Sequence, residues 1–556
     1  MDDDQMMIED DGRMVDVGRV TNHEEEELWD EKWAIDDTTG KELDPKAVEE
    51  ARREEVEFMK SIELYDEVDV QECLDMTGKH PTSTRWIDVD KGTEVRCRLV
   101  ARDFKGHGEG ERADLFAATP PLEALRMILR MAMVKRVRKR WGGQQGKIMV
   151  IDVKKAHLNA KLEEGEMVYV SLPEEAEANG KCGRLKRWLY GMRPAAGAWE
   201  KDYCKNLEGI GFVRGKAAPT VFRNEKSGTM AFVHGDDFVF LGAEEDLRRV
   251  REEMAGWYQI KVKAVMGPGK GDDKEVVILG RKVKWMGDRI TYEADPRIVG
   301  RIVEAAGLRE DSKGLDCMAV KGEEDEGEEK LNESEAKEFR SNAALANYLA
   351  LDRADLQFAV GLLCRDMSSP TQASERAMKR VARYLVRYPR MVWEFREVEE
   401  LGHIAVYADS DWAGDLRSRR STSGGVVTIG TTAVKTWSRR QATVALSSGE
   451  AEFCAVVKAT AEALGVQALA EDLGEMMKIA VYSDSSAARG IASRTGLGKI
   501  RHLDVRLMWV QELVKNGKIM LRKVKGTENP ADMLTKPKNA LELRTQSSWI
   551  NADIVK

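Results

Sequence analysis

At 556 residues, the chain is long enough for three to four compact units of ordinary size. Its composition, 42% hydrophobic and 33% charged, supplies real cores beneath a heavily charged surface. No apolar run reaches the roughly 18 residues that a membrane-spanning helix requires. The acidic start MDDDQMMIEDDGRMVD lacks the basic and apolar regions of a secretory signal. An intracellular, non-secreted protein without a membrane partner is therefore expected.

The seven cysteines are scattered and never form a C-x-x-C pair, which opposes both a disulfide framework and a zinc knuckle. The seven histidines show no paired spacing for a transition metal. Any metal should then be a hard cation held by carboxylates. Net charge is −9, but the acid gathers near the N-terminus and in residues 322–338. Basic clusters interrupt the rest: Lys135, Arg136, Arg138, Lys139 and Arg140; the run from Lys181 to Arg193; and Arg417 to Arg420. Each can face phosphates or simply be a solvated helix face.

In chain order, residues 1–45 are acidic and poor in apolar side chains, so disorder is expected there. Residues 46–75 repeat apolar positions every three or four and predict a helix. Two strand-like runs follow around the turn DKGT within 85–104, then a helix over 121–140 with Pro121 in its first turn. KIMVIDV (147–153) reads as a short buried strand ending on one acid. TMAFVHGDDFVFLG (229–242) reads as two apolar strands meeting at a tight turn of Gly235, Asp236 and Asp237. The acidic stretch 321–338 predicts a solvated linker, and 335–390 is helical. From about 401 the pattern becomes α/β: a strand at 404–414, a hairpin at 424–439, a long helix at 448–473, a strand at 479–484, a helix at 501–515 and a strand at 518–524.

Two sets of carboxylates stand out. Asp152 ends one buried strand, and Asp236 and Asp237 sit at a hairpin tip. If the hairpin lies beside that strand, three acids converge at one sheet edge, an arrangement that is costly unless a divalent cation neutralises it. Two Mg2+ ions there would serve an in-line phosphoryl transfer. The alternative is an ordinary Gly-Asp-Asp turn. Asp409 and Asp484 each end a Tyr-containing strand (AVYAD and AVYSD), Glu452 lies on the long helix, and Asp532 starts the last helical turn. These four can likewise hold two cations that direct water at a phosphodiester. Asp411, Asp415 and Glu450 compete for the same roles, and plain surface acids are the alternative.

RCRLVARDFKG, LFAATPPLEALRMIL, IDVKKAHLNAKLEEGEMVYVSLPE, RLKRWLYGMRPAAGAWE, GFVRGKAAPTVF and VHGDDFVFLG resemble, in order, the copia-type reverse transcriptase. ADSDWAGDLRSRRSTSGG, WSRRQATVALSSGEAEF, YSDSSAA, KIRHLDVRLMWVQE and NPADMLTKP resemble the RNase H of that family. The resemblance covers about residues 46–540. It implies an α+β right-hand polymerase with fingers, palm and thumb, followed by an α/β RNase H-like domain. The units expected are an N-terminus at 1–45, fingers and palm at 46–320, an acidic linker with a helical thumb or connection at 321–400, the RNase H-like domain at 401–540 and a tail at 541–556.

The resemblance also makes Asp152, Asp236 and Asp237 the metal-binding acids of the palm, and Asp409, Glu452, Asp484 and Asp532 those of the RNase H part. It selects Glu452 over Glu450 because E-F-x-A follows it. Mg2+ is the implied cofactor, with Mn2+ as a substitute. An RNA template, a DNA primer, an RNA–DNA hybrid and deoxynucleoside triphosphates are the implied substrates, and the element's own integrase and capsid proteins the implied partners. A cytoplasmic virus-like particle or the nucleus is the implied location. Arg98 and Arg102 fall where the fingers of such enzymes meet the incoming triphosphate, although exposed strand arginines are an ordinary alternative. Three departures mark this chain. His234 and Gly235 replace the usual Tyr-Val before the acid pair. His157 stands where the family has an aromatic gate against the sugar, or is a plain packing residue. No protease, integrase or nucleocapsid zinc motif is present. Reverse transcription with hybrid cleavage is the leading expectation. The alternatives are an inactive or domesticated nucleic-acid-binding relic, or a copy in which only the RNase H works.

Overall fold

The run KIMVIDV needs cover on both sides, because successive strand side chains point to opposite faces. The computed structural model describes residues 34–104, 117–318, 329–496 and 507–556, with the short stretches 6–8 and 14–16 and positions 498 and 502. In it this run is one strand of a six-stranded antiparallel sheet. The order across the sheet is Ile260–Met266, Lys147–Val153, Asp237–Gly242, Met230–His234, Val221–Asn224 and Phe212–Arg214. Ile148 and Val150 pack with Phe232, Val239 and Leu241 into a core shared with the helix Leu122–Ala132. Met149, Ile151 and Val153 join Val233, Phe238 and Phe240 in a second core, against the helix Ala195–Gly209.

Besides this sheet there are the expected hairpin, Thr84–Asp90 with Val95–Ala101, and a three-stranded sheet of Tyr65–Asp69, Lys181–Leu185 and Tyr169–Ser171. The single helix expected over 46–75 is corrected. Pro45–Ser61 is helical, Glu63 turns the chain at φ +50°, and Tyr65–Asp69 is a strand whose partner lies far downstream. Asp69 then caps a second helix, Val70–Thr77, by accepting from the Gln71 amide. The helix expected over 121–140 is interrupted: Leu122–Ala132 is helical, the chain leaves the helix at Met133, and Lys135–Arg138 adds a further short helical turn. At the break the buried Arg130 guanidinium donates to the carbonyls of Met133 and Arg396, drawing the chain out of helical register. The disorder expected over 1–45 is corrected for 34–45, where the buried Asp36 accepts from the amides of Thr38 and Asp90. Of residues 1–33, only the antiparallel pair Met6–Ile8 and Met14–Asp16 is described. Residues 321–328 of the acidic linker lie outside the described residues. Its second half is corrected: a capping box at Asn332 starts the helix Glu333–Ala350, so 333–338 is helical rather than a solvated linker.

A second antiparallel sheet draws on segments the sequence assigns to separate units: Glu275–Ile278, Arg281–Trp285, Arg289–Ala294, Arg390–Arg396 and Ala552–Val555. The expected C-terminal tail is thereby corrected. Ala540–Ser548 is a capped helix, and Ile550 and Ile554 are buried as the last strand joins this sheet. The third sheet runs Thr432–Arg440, Thr422–Ile429, Ile404–Ser410, Ile479–Ser483 and Ile519–Lys523. Its first three strands are antiparallel and its last two pairings parallel.

The helix Ser448–Asp472 lies on this sheet, with Phe453 and Val456 in one core with Val406, Val427 and Val481. This helix corrects the expectation that nothing in the chain is long and apolar enough to cross a membrane, for by length and composition it is. Its apolar content is spent inside the protein, since more than half of the qualifying window is buried there.

Buried charge ties the halves together. Arg126 donates to the carbonyls of Val434 and Leu351 and pairs with Asp352 at 3.0 Å, while Arg281 takes the other oxygen of Asp352 at 2.9 Å. Tyr292 donates to the same carboxylate, and the Arg126 guanidinium lies over the rings of Tyr292 and Trp393.

Candidate active sites: two carboxylate clusters

The antiparallel register sets Asp152 directly opposite Asp237. The neighbouring turn uses Gly235 at φ +61°, a conformation that favours glycine, and Trp199 donates from Nε1 to the Gly235 carbonyl at 2.8 Å. Trp199 is fully buried, edge-on to Tyr258 and Phe238, so the turn is held from beneath by a rigid aromatic group. The Val153 amide donates to the Asp236 carbonyl at 2.9 Å, which fastens the turn to the strand end. Asp237 is buried and Asp236 partly so. Between Asp152 and Asp237 stands the Lys263 ammonium, 3.0 Å from one carboxylate and 2.9 Å from the other.

Beside this cluster, His157 packs edge-on to Tyr190 with ring centroids 5.5 Å apart, and the Arg98 guanidinium lies 5.7 Å from the Tyr190 centroid. Burial, then the Arg98 charge, holds the His157 imidazole down at about 4, so it is neutral. Burial raises the Tyr190 hydroxyl; the Arg98 charge opposes this and the Asp236 charge adds to it. Arg98, His157 and Tyr190 thus form one packed group. Arg102 is exposed beyond the end of the same strand as Arg98. His234 is kept neutral by burial.

In the second cluster, carboxylate oxygens of Asp409, Glu452 and Asp484 lie within 4.8 Å of one another. Asp409 and Asp484 stand at the ends of two parallel neighbouring strands, and Glu452 comes from the first turns of the long helix. Burial, with the Asp532 and Asp484 charges, pushes Asp409 up to about 6 against a hydrogen bond from Thr535. Burial, then the charges of Asp409 and Asp484, pushes Glu452 up to about 9. Asp532 differs: burial disfavours its charge, but Lys536, Lys538 and Gln546 bind it and hold it below its usual range.

Of the competing acids, Glu450 accepts from the Leu446 amide and pairs with His502 at 2.9 Å. Asp411 accepts from the Thr422 amide, and Asp415 is held at about 2 against burial by Ser418, Arg440 and Arg365. The donor set of the second cluster fits a hard divalent cation: it is all carboxylate, and Glu452 Oε2 is buried without a hydrogen bond.

Residues 67–268, which hold the first cluster, match the family described as reverse transcriptase (RNA-dependent DNA polymerase). Over 525 residues the chain is 26% identical to the retrovirus-related Pol polyprotein from transposon TNT 1-94 of Nicotiana tabacum, covering 89% of this chain and 37% of that protein. Over most of its length the chain is similar to the Pol polyproteins of copia-type retrotransposons. It is 24% identical to the Pol polyprotein from transposon RE1 of Arabidopsis thaliana over 470 residues, 82% of this chain and 30% of the relative. It thus spans about a third of the length of these curated relatives. Among solved structures, a foamy viral protease–reverse transcriptase in complex with double-stranded DNA aligns with a TM-score of 0.47 at 13% identity, over 81% of this chain and 68% of that one.

In this chain each of the three basic clusters faces acids, Arg417 of the third pairing with Asp366 at 2.8 Å. Lys135 and Arg138 pair with Glu399 and Glu397, and Arg136 and Arg140 close on the buried Glu475 across the two halves. Arg184 and Lys186 are paired with Asp66. Three site neighbours escaped the sequence reading. Tyr190 and His502 lay inside quoted motifs, where a ring beside His157 or a base near the acids could have been sought. Lys263 carried no signal, because its position depends on a strand irregularity.

Proposed function

We propose that this chain is an RNA-directed DNA polymerase at Asp152, Asp236 and Asp237 and a ribonuclease H at Asp409, Glu452, Asp484 and Asp532. The observation that carries the reading is the opposition of Asp152 and Asp237 at a hairpin inside the stretch matched to reverse transcriptases. The strand order of the C-terminal sheet, three antiparallel strands and then two parallel ones, supports an RNase H-like fold for the second centre. Asp152 and the acid pair would hold Mg2+ at the first centre, and Asp409, Glu452 and Asp484 at the second. When bound, Mg2+ supplies Lewis acidity and activates the attacking oxygen for in-line phosphoryl transfer.

The chain's own groups position the rest. Trp199 fixes the acid turn, Arg98 and Arg102 offer bidentate donors to a triphosphate, and His157 against Tyr190 forms a wall for the sugar. At the second centre, Thr535 orients Asp409, and His502 is held by Glu450, two residues before Glu452. Template RNA, DNA primer, deoxynucleotides and RNA–DNA hybrid are the proposed substrates.

Template-primer extension with deoxynucleotides and Mg2+, run beside hybrid cleavage on the same preparation, tests the reading. Extension lost in Asp236→Asn and cleavage lost in Glu452→Gln are expected. Cleavage by a protein that never extends a primer would support the second reading, a copy with only its ribonuclease working. Lys263 between the acids, with His157, His234 and Gly235, favours that second reading.

A further inference from the structure

We propose that Lys263 is a built-in counter-ion of the first cluster, which a divalent cation must displace before it can bind Asp152 and Asp237. The inference rests on reading that cluster as a metal site. Two like charges directly opposite on paired strands repel one another, and burial sharpens the cost. The strand Ile260–Met266 meets that cost with an irregularity. Val262 pairs with Ile151 and Ala264 with the next residue along, Val150, so Lys263 is the extra residue of a bulge. Bulges re-aim side chains, and here the ammonium reaches both carboxylates, at 3.0 and 2.9 Å, with the side chain 25% exposed.

An ammonium is a compact charge with three donors on a flexible four-carbon stem. It can bridge two acids and also withdraw towards solvent. A cation that takes the inner oxygens of Asp152 and Asp237 must expel it, because two positive charges cannot share a gap of this size. Among the described residues no lysine bridges Asp409 to Asp484: Lys536 and Lys538 bind Asp532, and Lys536 acts on Asp409 and Asp484 only through its charge. The first centre should therefore need more divalent cation than the second.

The test measures Mn2+ binding by calorimetry and by its paramagnetic signal. It uses the full chain carrying Asp484→Asn, so that the first centre is read. Adding Lys263→Gln should tighten Mn2+ binding by about tenfold, and Asp152→Asn should remove the gain. Equal or weaker binding by Lys263→Gln, or a gain that survives Asp152→Asn, overturns the counter-ion and leaves the metal site standing. No bound Mn2+ in any variant overturns both. A second measurement needs no variant at Lys263. Acetylation of Lys263 in the unaltered protein, followed by mass spectrometry, should speed up when Mn2+ is added. Unchanged or slower labelling overturns the proposal.

Discussion

At the hairpin, Asp152 and Asp237 face one another across paired strands and share the Lys263 ammonium. At the C-terminal sheet, Asp409, Glu452 and Asp484 converge while the local lysines bind Asp532, and two of the three acids are pushed towards protonation. The first centre meets the cost of gathered charge with a residue; the second leaves much of it unmet. A site whose carboxylates are destabilised by one another has most to gain from a divalent ion, because the ion removes a cost already present in the fold. A site that carries its own cation gains less.

The comparison breaks first on activity. Asp236→Asn should lower primer extension and Asp409→Asn hybrid cleavage, each by on the order of a thousandfold, with the other reaction intact. Loss of both reactions from either change would mean one centre, not two. The next largest effect should fall on both centres together. Arg126→Met leaves Asp352 short of one partner within the buried network that joins the halves, and Arg130 lies beside it. Removing one partner of a buried pair costs roughly 3–5 kcal/mol. Urea unfolding should therefore move to lower midpoint, with both reactions declining in parallel. A variant that loses only one reaction would show that the halves are less coupled than this network suggests.

Much of the two centres was legible in the sequence because it is local. Apolar runs interrupted by one acid mark strand ends, and the Gly-Asp-Asp turn marks a hairpin tip. Glu452 lies with Asp409 and Asp484, while Glu450, two residues earlier, is engaged by Leu446 and His502. What was not legible is non-local. Tyr65–Asp69 reads as the end of a helix because its pairing partner, Lys181–Leu185, is far away in sequence. The strand Ala552–Val555 is four residues long, too short for a period, and its meaning comes from Arg390–Arg396 beside it. Charge clusters mislead for the same reason: nothing near Arg136 or Arg140 announces Glu475.

A smaller effect separates the clusters by sign. Glu452 sits at about 9 in the folded protein against an ordinary 4.5. The folded state thus keeps a proton that the unfolded chain gives up, and stability falls as pH rises from about 4.5 to about 9. Glu452→Gln removes that loss and should melt ~1–3 °C above the unaltered protein at pH 8 in a chelator, with little difference near pH 4. Asp237→Asn takes one partner from Lys263 and should melt lower. Differential scanning calorimetry at the two pH values checks both, and a shift of the same sign in both variants would erase the contrast drawn between the centres.

The smallest effect concerns selectivity at the first centre alone. His157 is neutral, lies edge-on to Tyr190 and is close enough to Arg98 to be held down by its charge. A five-membered ring there fills less space than phenylalanine would, so in the proposed role a 2′-hydroxyl would meet a looser wall. Contacts of this size in a pocket change discrimination modestly. His157→Phe should raise the preference for deoxynucleotides over ribonucleotides by about threefold to tenfold, through weaker ribonucleotide incorporation rather than faster deoxynucleotide incorporation. Hybrid cleavage should not change, since the ring packs on Tyr190 and Asp409 lies in another sheet. An unchanged ratio would strip His157 of the role. Tyr190, the larger ring of the pair and the one that carries Arg98 against it, would then be the wall that meets the sugar.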